Sequence, residues 1–202
     1  MNSKLAHILS TILHPLLMPT YGVFLFFFYT YLFIFPPNYK YYLTGLVFIM
    51  TGLIPALCML AMFKMGMVSN HEISNREERM PAYLFTISSY LFCIFLLYRF
   101  KVPIWVTTFI VGGTLSIAVN MIITRWWKIS AHLTGIGAVV GSIYSMCHIQ
   151  QINPMWMLIT SVVLSGALGT ARISLKQHTL GQVVCGFICG FTCVFCSVYF
   201  SL

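Results

Sequence analysis

Aspartate is absent from the 202-residue sequence, and its three glutamates, Glu72, Glu77 and Glu78, fall inside one seven-residue window. A protein-bound divalent cation is neutralised by several oxygen ligands brought from more than one element. The shortage therefore excludes aspartate-rich prenyl-diphosphate sites, two-metal phosphohydrolases, P-type ATPases and EF-hands. Charge of either sign is scarce, at 7% of residues, and no stretch is polar enough to form a separate soluble module. Internal repeats and low-complexity linkers are also missing. So are the compact basic start and small-residue cleavage site of a signal peptide, and no cleaved leader is expected.

What is present is apolar: 59% of residues are hydrophobic and the mean hydropathy is +0.91. A spanning helix takes about 20 apolar residues, so the chain has room for roughly six or seven. The expectation is an all-α, polytopic membrane helix bundle forming a single domain over residues 1–202. Apolar runs between polar breaks predict spans at 17–35, 41–63, 82–99, 103–124, 132–148, 154–170 and 179–200. Residues 4–16 are moderately amphipathic and are followed by Pro19, with Pro15 inside them, so they either extend the first span or lie at the interface. Cys185, Cys189, Cys193 and Cys196 share one helical face and read as packing residues. Gly137 with Gly141, and Gly186 with Gly190, supply small-xxx-small contacts that bring helices close.

Eleven Lys and Arg give a net charge of +8, so most cations must face water, lipid phosphates or an anionic substrate. Three polar segments exceed what a turn needs: 69–81 (SNHEISNREERMP), 125–132 (RWWKISAH) and 171–182 (ARISLKQHTLGQ). Two spans separate each from the next, so all three emerge on one membrane face. Together they gather Arg76, Arg79, Arg125, Lys128, Arg172 and Lys176 with His71, His132 and His178. Such a cluster suits a phosphate, whose oxygens accept the forked donors of Arg. Gln182 lies at i+4 from His178, so on a helix beginning near His178 its side chain reaches the imidazole. The plainer readings stand beside this one. Arg125, Trp126, Trp127 and Lys128 have the composition of an interfacial belt. His7, His14 and His148 read as interfacial or packing residues, and Asn120 as a hydrogen-bonding partner for a neighbouring helix.

The spacing Ala171-Arg172, five residues, His178, three residues, Gln182 resembles the third motif of the PAP2 superfamily, the type 2 phosphatidic acid phosphatases, which reads Ser-Arg, five residues, His, three residues, Asp. Ile129-Ser130-Ala131-His132 is similar to the family's Pro-Ser-Gly-His. The first motif, Lys, six residues, Arg-Pro, is matched by Arg79 and Pro81 at its end, with Glu72 where Lys belongs and Arg76 as a replacement from elsewhere on the segment. The resemblance spans roughly residues 65–200 and lies in order and spacing together. It implies a PAP2-like core and a phosphatase acting on a lipid phosphate through a phosphohistidine, with no metal and no cofactor. His178 would be the nucleophile and His132 the acid for the leaving oxygen. Arg172, Arg79, Arg76 and Lys128 would hold phosphoryl oxygens, and Ser130 would donate a hydrogen bond. Gln182 would orient His178 without the negative charge of the family's Asp, for which Glu77 and Glu78 are candidate substitutes. The implied partners are a lipid phosphate and membrane lipids, with no nucleic acid. The rival reading is a silent relative that binds a phospholipid headgroup or a membrane partner.

Positive residues stand eight to three in favour of the motif face, which by the positive-inside rule points to the cytoplasm. Setting aside Arg76, Arg79, Arg172 and Lys176 as phosphate ligands leaves four against three. The family resemblance instead implies a bacterial inner membrane with a periplasmic site.

Overall fold

A computed structural model describes residues 2–68 and 79–201. Among the described residues the chain is an α-helical bundle without strands. Its helices are α1 (Ser3–Ile12), α2 (Met18–Tyr29), α3 (Pro37–Val47), α4 (Ile54–Lys64), α5 (Arg79–Arg99), α6 (Ile104–Thr124), α7 (Ala131–Gln150), α8 (Met155–Ser174) and α9 (Leu180–Tyr199). Six stretches among the described residues are long and apolar enough to cross a membrane: Ser3–Tyr29, Pro37–Lys64, α5, α6, α8 and α9. The protein is accordingly an integral membrane protein. The predicted spans agree with these elements to within a few residues at most ends. Arg76, His71 and the three glutamates lie outside the described residues.

Proline and left-handed turns punctuate the bundle. Pro37 opens α3, while Pro103 and Pro154 immediately precede α6 and α8, positions where a missing N–H costs nothing. Lys101 and Gln151 adopt left-handed φ values of 54° and 52° and reverse the chain after α5 and α7. Both lie at the end away from the three polar segments.

The amphipathic segment resolves into α1, a 3-10 turn at Pro15–Leu17 and α2. The Tyr21 hydroxyl donates to the Ile12 carbonyl at 3.0 Å, occupying an acceptor that the end of α1 leaves open. Helix α1 packs on α8, and the 3-10 turn on α7.

A wide turn interrupts the second span. At Phe48–Leu53 the backbone is a π-helix in which the Ile54 N–H donates to the Ile49 carbonyl. In that register the Met50 carbonyl would be served by residue 55, which is Pro55 and has no N–H. The Ser89 hydroxyl of α5 donates to the Met50 carbonyl instead, tying α5 to the bend.

Helix α7 is the seventh long helix and occupies the middle. It has 20 residues, of which twelve are buried, and it touches α2, α6, α8 and α9. Because so little of it meets lipid, it carries Gly, Ser and Thr where a lipid-facing helix carries Leu or Phe. Its closest partner is α9. A β-carbon on Gly186 would come within 2.6 Å of the Ser130 carbonyl, and one on Gly190 would overlap the Thr134 carbonyl. These glycines let two parallel helices meet backbone to backbone, and so bring the start of α7 against the start of α9.

Candidate functional site

The site is built at the end of the bundle where α5, α7 and α9 begin and α6 and α8 finish. Arg79 is the first residue of α5, His132 the second of α7, and Arg172 lies in the last turn of α8. The N-termini of α5, α7 and α9 direct partial positive charge toward this end, and the C-termini of α6 and α8 partial negative charge.

The connection from α8 to α9 is the most tightly determined part. After α8 the chain turns through Lys176 at φ 55°. The Arg172 carbonyl then accepts from the N–H groups of Gln177 at 3.1 Å and His178 at 3.4 Å. Thr179 and Gln182 form a capping box at the start of α9: the Thr179 hydroxyl accepts from the Gln182 N–H, and the Gln182 carbonyl oxygen accepts from the Thr179 N–H at 3.1 Å. That same Gln182 oxygen lies 3.1 Å from Nδ1 of His178. The i+4 pairing read from the sequence thus forms, although α9 begins only at Leu180 and the cap aims the glutamine.

Because the Thr179 N–H can only donate, the amide atom it meets is the oxygen, and a carbonyl oxygen can only accept. Nδ1 of His178 therefore carries the proton and Nε2 keeps its lone pair. His178 is buried, and burial pushes its pKa down to about 4, with the Gln182 bond opposing the fall and the charges of Arg172, Lys128 and Arg79 adding to it. It is a neutral imidazole at pH 7.

A cavity of about 400 Å³ opens beside this turn. Arg79, Arg172, His132 and His178 all line it, and Arg172 is only 6% exposed. Four of the residues expected from the sequence thus meet at one volume. Asn120 also lines it and donates to Thr134 of α7 at 2.9 Å, the interhelical bond expected of it. Lys128 is half-buried and close enough to His178 to disfavour its protonation, but does not line the cavity. Ser130 is fully buried behind the first turn of α7. Its N–H donates to the main-chain carbonyl of Gln182 at 3.3 Å, its own carbonyl accepts from Thr134, and its hydroxyl has no hydrogen-bond partner among the described residues. It too is outside the cavity lining. Arg76 lies outside the described residues.

Sequence reasoning missed α1. His7, Ser10, Thr11 and His14 all line the cavity, while Leu5, Ile8 and Ile12 are exposed on the other side of the same segment. The steps of three, one and three residues form one helical stripe. A polar stripe on an otherwise apolar membrane helix was the available signal. His132 Nε2 lies 3.2 Å from the Ser10 carbonyl, which fixes that nitrogen as a donor, and the His14 ring meets the His132 ring edge-on at 5.4 Å between centroids. His14 Nδ1 accepts from the Leu16 N–H at 3.4 Å.

What this arrangement offers chemically is a neutral imidazole with a directed lone pair beside two guanidinium groups, in a volume lined by three further imidazoles. No family model matches the chain, and neither does any curated protein or solved structure.

Proposed function

We propose that this protein hydrolyses a phosphate monoester or diphosphate at the headgroup of a lipid, through a phosphohistidine and without a metal. The observation that carries the reading is that His178, oriented by Gln182, lines one cavity with Arg172, Arg79 and His132, because those residues come from three segments far apart in sequence.

In the proposed reaction Nε2 of His178 attacks phosphorus, and the bond from phosphorus to the lipid oxygen breaks. Arg172 and Arg79 hold the non-bridging oxygens as charge redistributes, with Arg76 and Lys128 as further cations. The lipid oxygen takes up a proton and leaves as the alcohol, or as the monophosphate when the substrate is a diphosphate. Water then attacks phosphorus, breaks the bond to nitrogen and releases inorganic phosphate, restoring neutral His178. His132 is the proposed acid; to serve it must first take a second proton on Nδ1 and then exchange the Ser10 carbonyl for the leaving oxygen at Nε2, and the attacking water returns that proton in the second step. Ser130 acts on the phosphoryl group only if the start of α7 rotates its hydroxyl toward the cavity. Candidate substrates are phosphatidic acid, phosphatidylglycerophosphate, undecaprenyl diphosphate and the phosphates of lipid A. We place the protein in a bacterial inner membrane with the site on the periplasmic side, on the family resemblance.

The second reading is a protein that binds a phospholipid headgroup or a membrane partner without turnover. Gln182 favours it, because a neutral amide orients His178 but does not stabilise positive charge developing on the ring.

The deciding experiment is phosphate release by purified protein under metal chelation, with each of the four lipids. The expected result is release from at least one lipid, lost in His178→Ala. Equal inactivity of wild type and His178→Ala on all four would remove the enzymatic reading.

A further inference from the structure

The cavity does not end at the cations. Along α5 its lining runs from Arg79 through Ala82, Tyr83 and Thr86 to Tyr90, a climb of about 16 Å at 1.5 Å per residue. That is roughly half of the ~30 Å hydrocarbon thickness of a bilayer. Its deep part is walled by Met18, Phe109, Ile110, Ile117 and Ala138, and Phe109 and Ile110 are almost fully buried in the protein. One continuous volume is therefore cationic at its outer end and mostly apolar at its inner end, where Thr86, Tyr90 and Ser116 are its polar lining. The N-terminal segment closes one side of it, through the stripe on α1 and through Pro15, Leu16 and Met18.

We infer that one hydrocarbon chain of the phosphorylated ligand lies inside the protein, in the limb between α5, α6 and α7. The inference rests on the lipid-phosphate reading for the headgroup and adds the tail. Charge complementarity fixes the orientation, with phosphate at Arg79 and Arg172 and hydrocarbon at Phe109 and Ile110. At about 400 Å³ the whole cavity lies near the lower end of the roughly 300–1,000 Å³ of sites that enclose a ligand, which leaves room for one chain beside a phosphate. A two-chain lipid would leave one tail outside.

Gly113 on α6 makes the limb adjustable. It lines the cavity, and the nearest atom to a β-carbon added there is Cε1 of Tyr90 at 3.6 Å, an ordinary contact. A larger side chain at this position enters the limb while leaving every cation in place.

The test is titration of the full chain in nanodiscs with monoalkyl phosphates of four to twelve carbons, with the matching alcohols in parallel and uptake by empty nanodiscs subtracted. For wild type, affinity is expected to rise about tenfold for every two methylenes buried, then to level off once the limb is full. Gly113→Leu is expected to bring that plateau to shorter chains and leave butyl phosphate unchanged. Gly113→Ala, a single added carbon, is expected to shift it less and serves if the leucine variant does not fold. An unshifted plateau in a folded variant, or a wild-type affinity that keeps rising with chain length and never levels off, would put the tail in the bilayer and overturn the inference. Alcohols that bind as tightly as phosphates, with the same sensitivity at Gly113, would support the tail limb and overturn the phosphate reading alone.

Discussion

Gln182 holds two jobs with one oxygen, and the consequence is testable at that residue. As the third residue of the capping box it accepts from the Thr179 N–H, and it accepts from Nδ1 of His178 as well. A glutamate keeps the box and adds the negative charge that the amide lacks. Gln182→Glu is therefore expected to raise the His178 pKa from about 4 and, on the proposed phosphohistidine route, to increase turnover by about tenfold or more, which corresponds to about 1.4 kcal/mol of extra transition-state stabilisation. Imidazole NMR and initial rates check both halves. In the wild type the sign for stability follows from the depressed value. Between about pH 4 and the unfolded value near 6.5 the unfolded chain binds more protons, so this group's contribution is complete above 6.5 and is lost as pH falls toward 4. The His178–Gln182 pair was legible in the sequence because both residues lie on one short local segment. His14 and His7 were not, because reading them as site residues needed the direction in which α1 faces, and that is set by its packing on α8.

At the scale of elements, backbone hydrogen bonding explains what the sequence left hidden. The π-turn at Phe48–Leu53 and Pro55 leave the Met50 carbonyl to Ser89, a residue 39 positions away. Nothing local in either segment announces that bond. Ser89→Ala is expected to cost about 1 kcal/mol by leaving a half-buried acceptor unmet, lowering Tm by roughly 2–4 °C for each kcal/mol in a chain of this length, with Tyr90 and the cavity retained. Thermal unfolding in detergent, followed by circular dichroism, measures it. Helix α7 teaches the converse. Its glycines and serines lower its hydropathy because it is wrapped by other helices, yet its boundaries were readable from the polar segment before it and Gln151 after it.

Across the whole molecule, span parity is the most legible feature of the sequence. Counting two spans between successive polar segments put all three at one end of the bundle, and Arg79, His132, Arg172 and His178 do line one cavity there. Distances within that end were not readable, since they depend on how closely α7 and α9 pack over Gly186 and Gly190. This is why Ser130, a motif residue by sequence, is buried behind the cavity wall. Phosphoryl transfer to His178 is the covalent step of the proposed reaction, and trapping tests it most directly. Purified full chain in nanodiscs, incubated with a phosphorylated lipid under chelation and quenched in alkali, is digested and sequenced by mass spectrometry. The expected result is phosphoryl on His178 in wild type, more of it in Gln182→Glu, and none in His178→Ala. Phosphate release continuing in His178→Ala, or phosphoryl found on another residue, would contradict it.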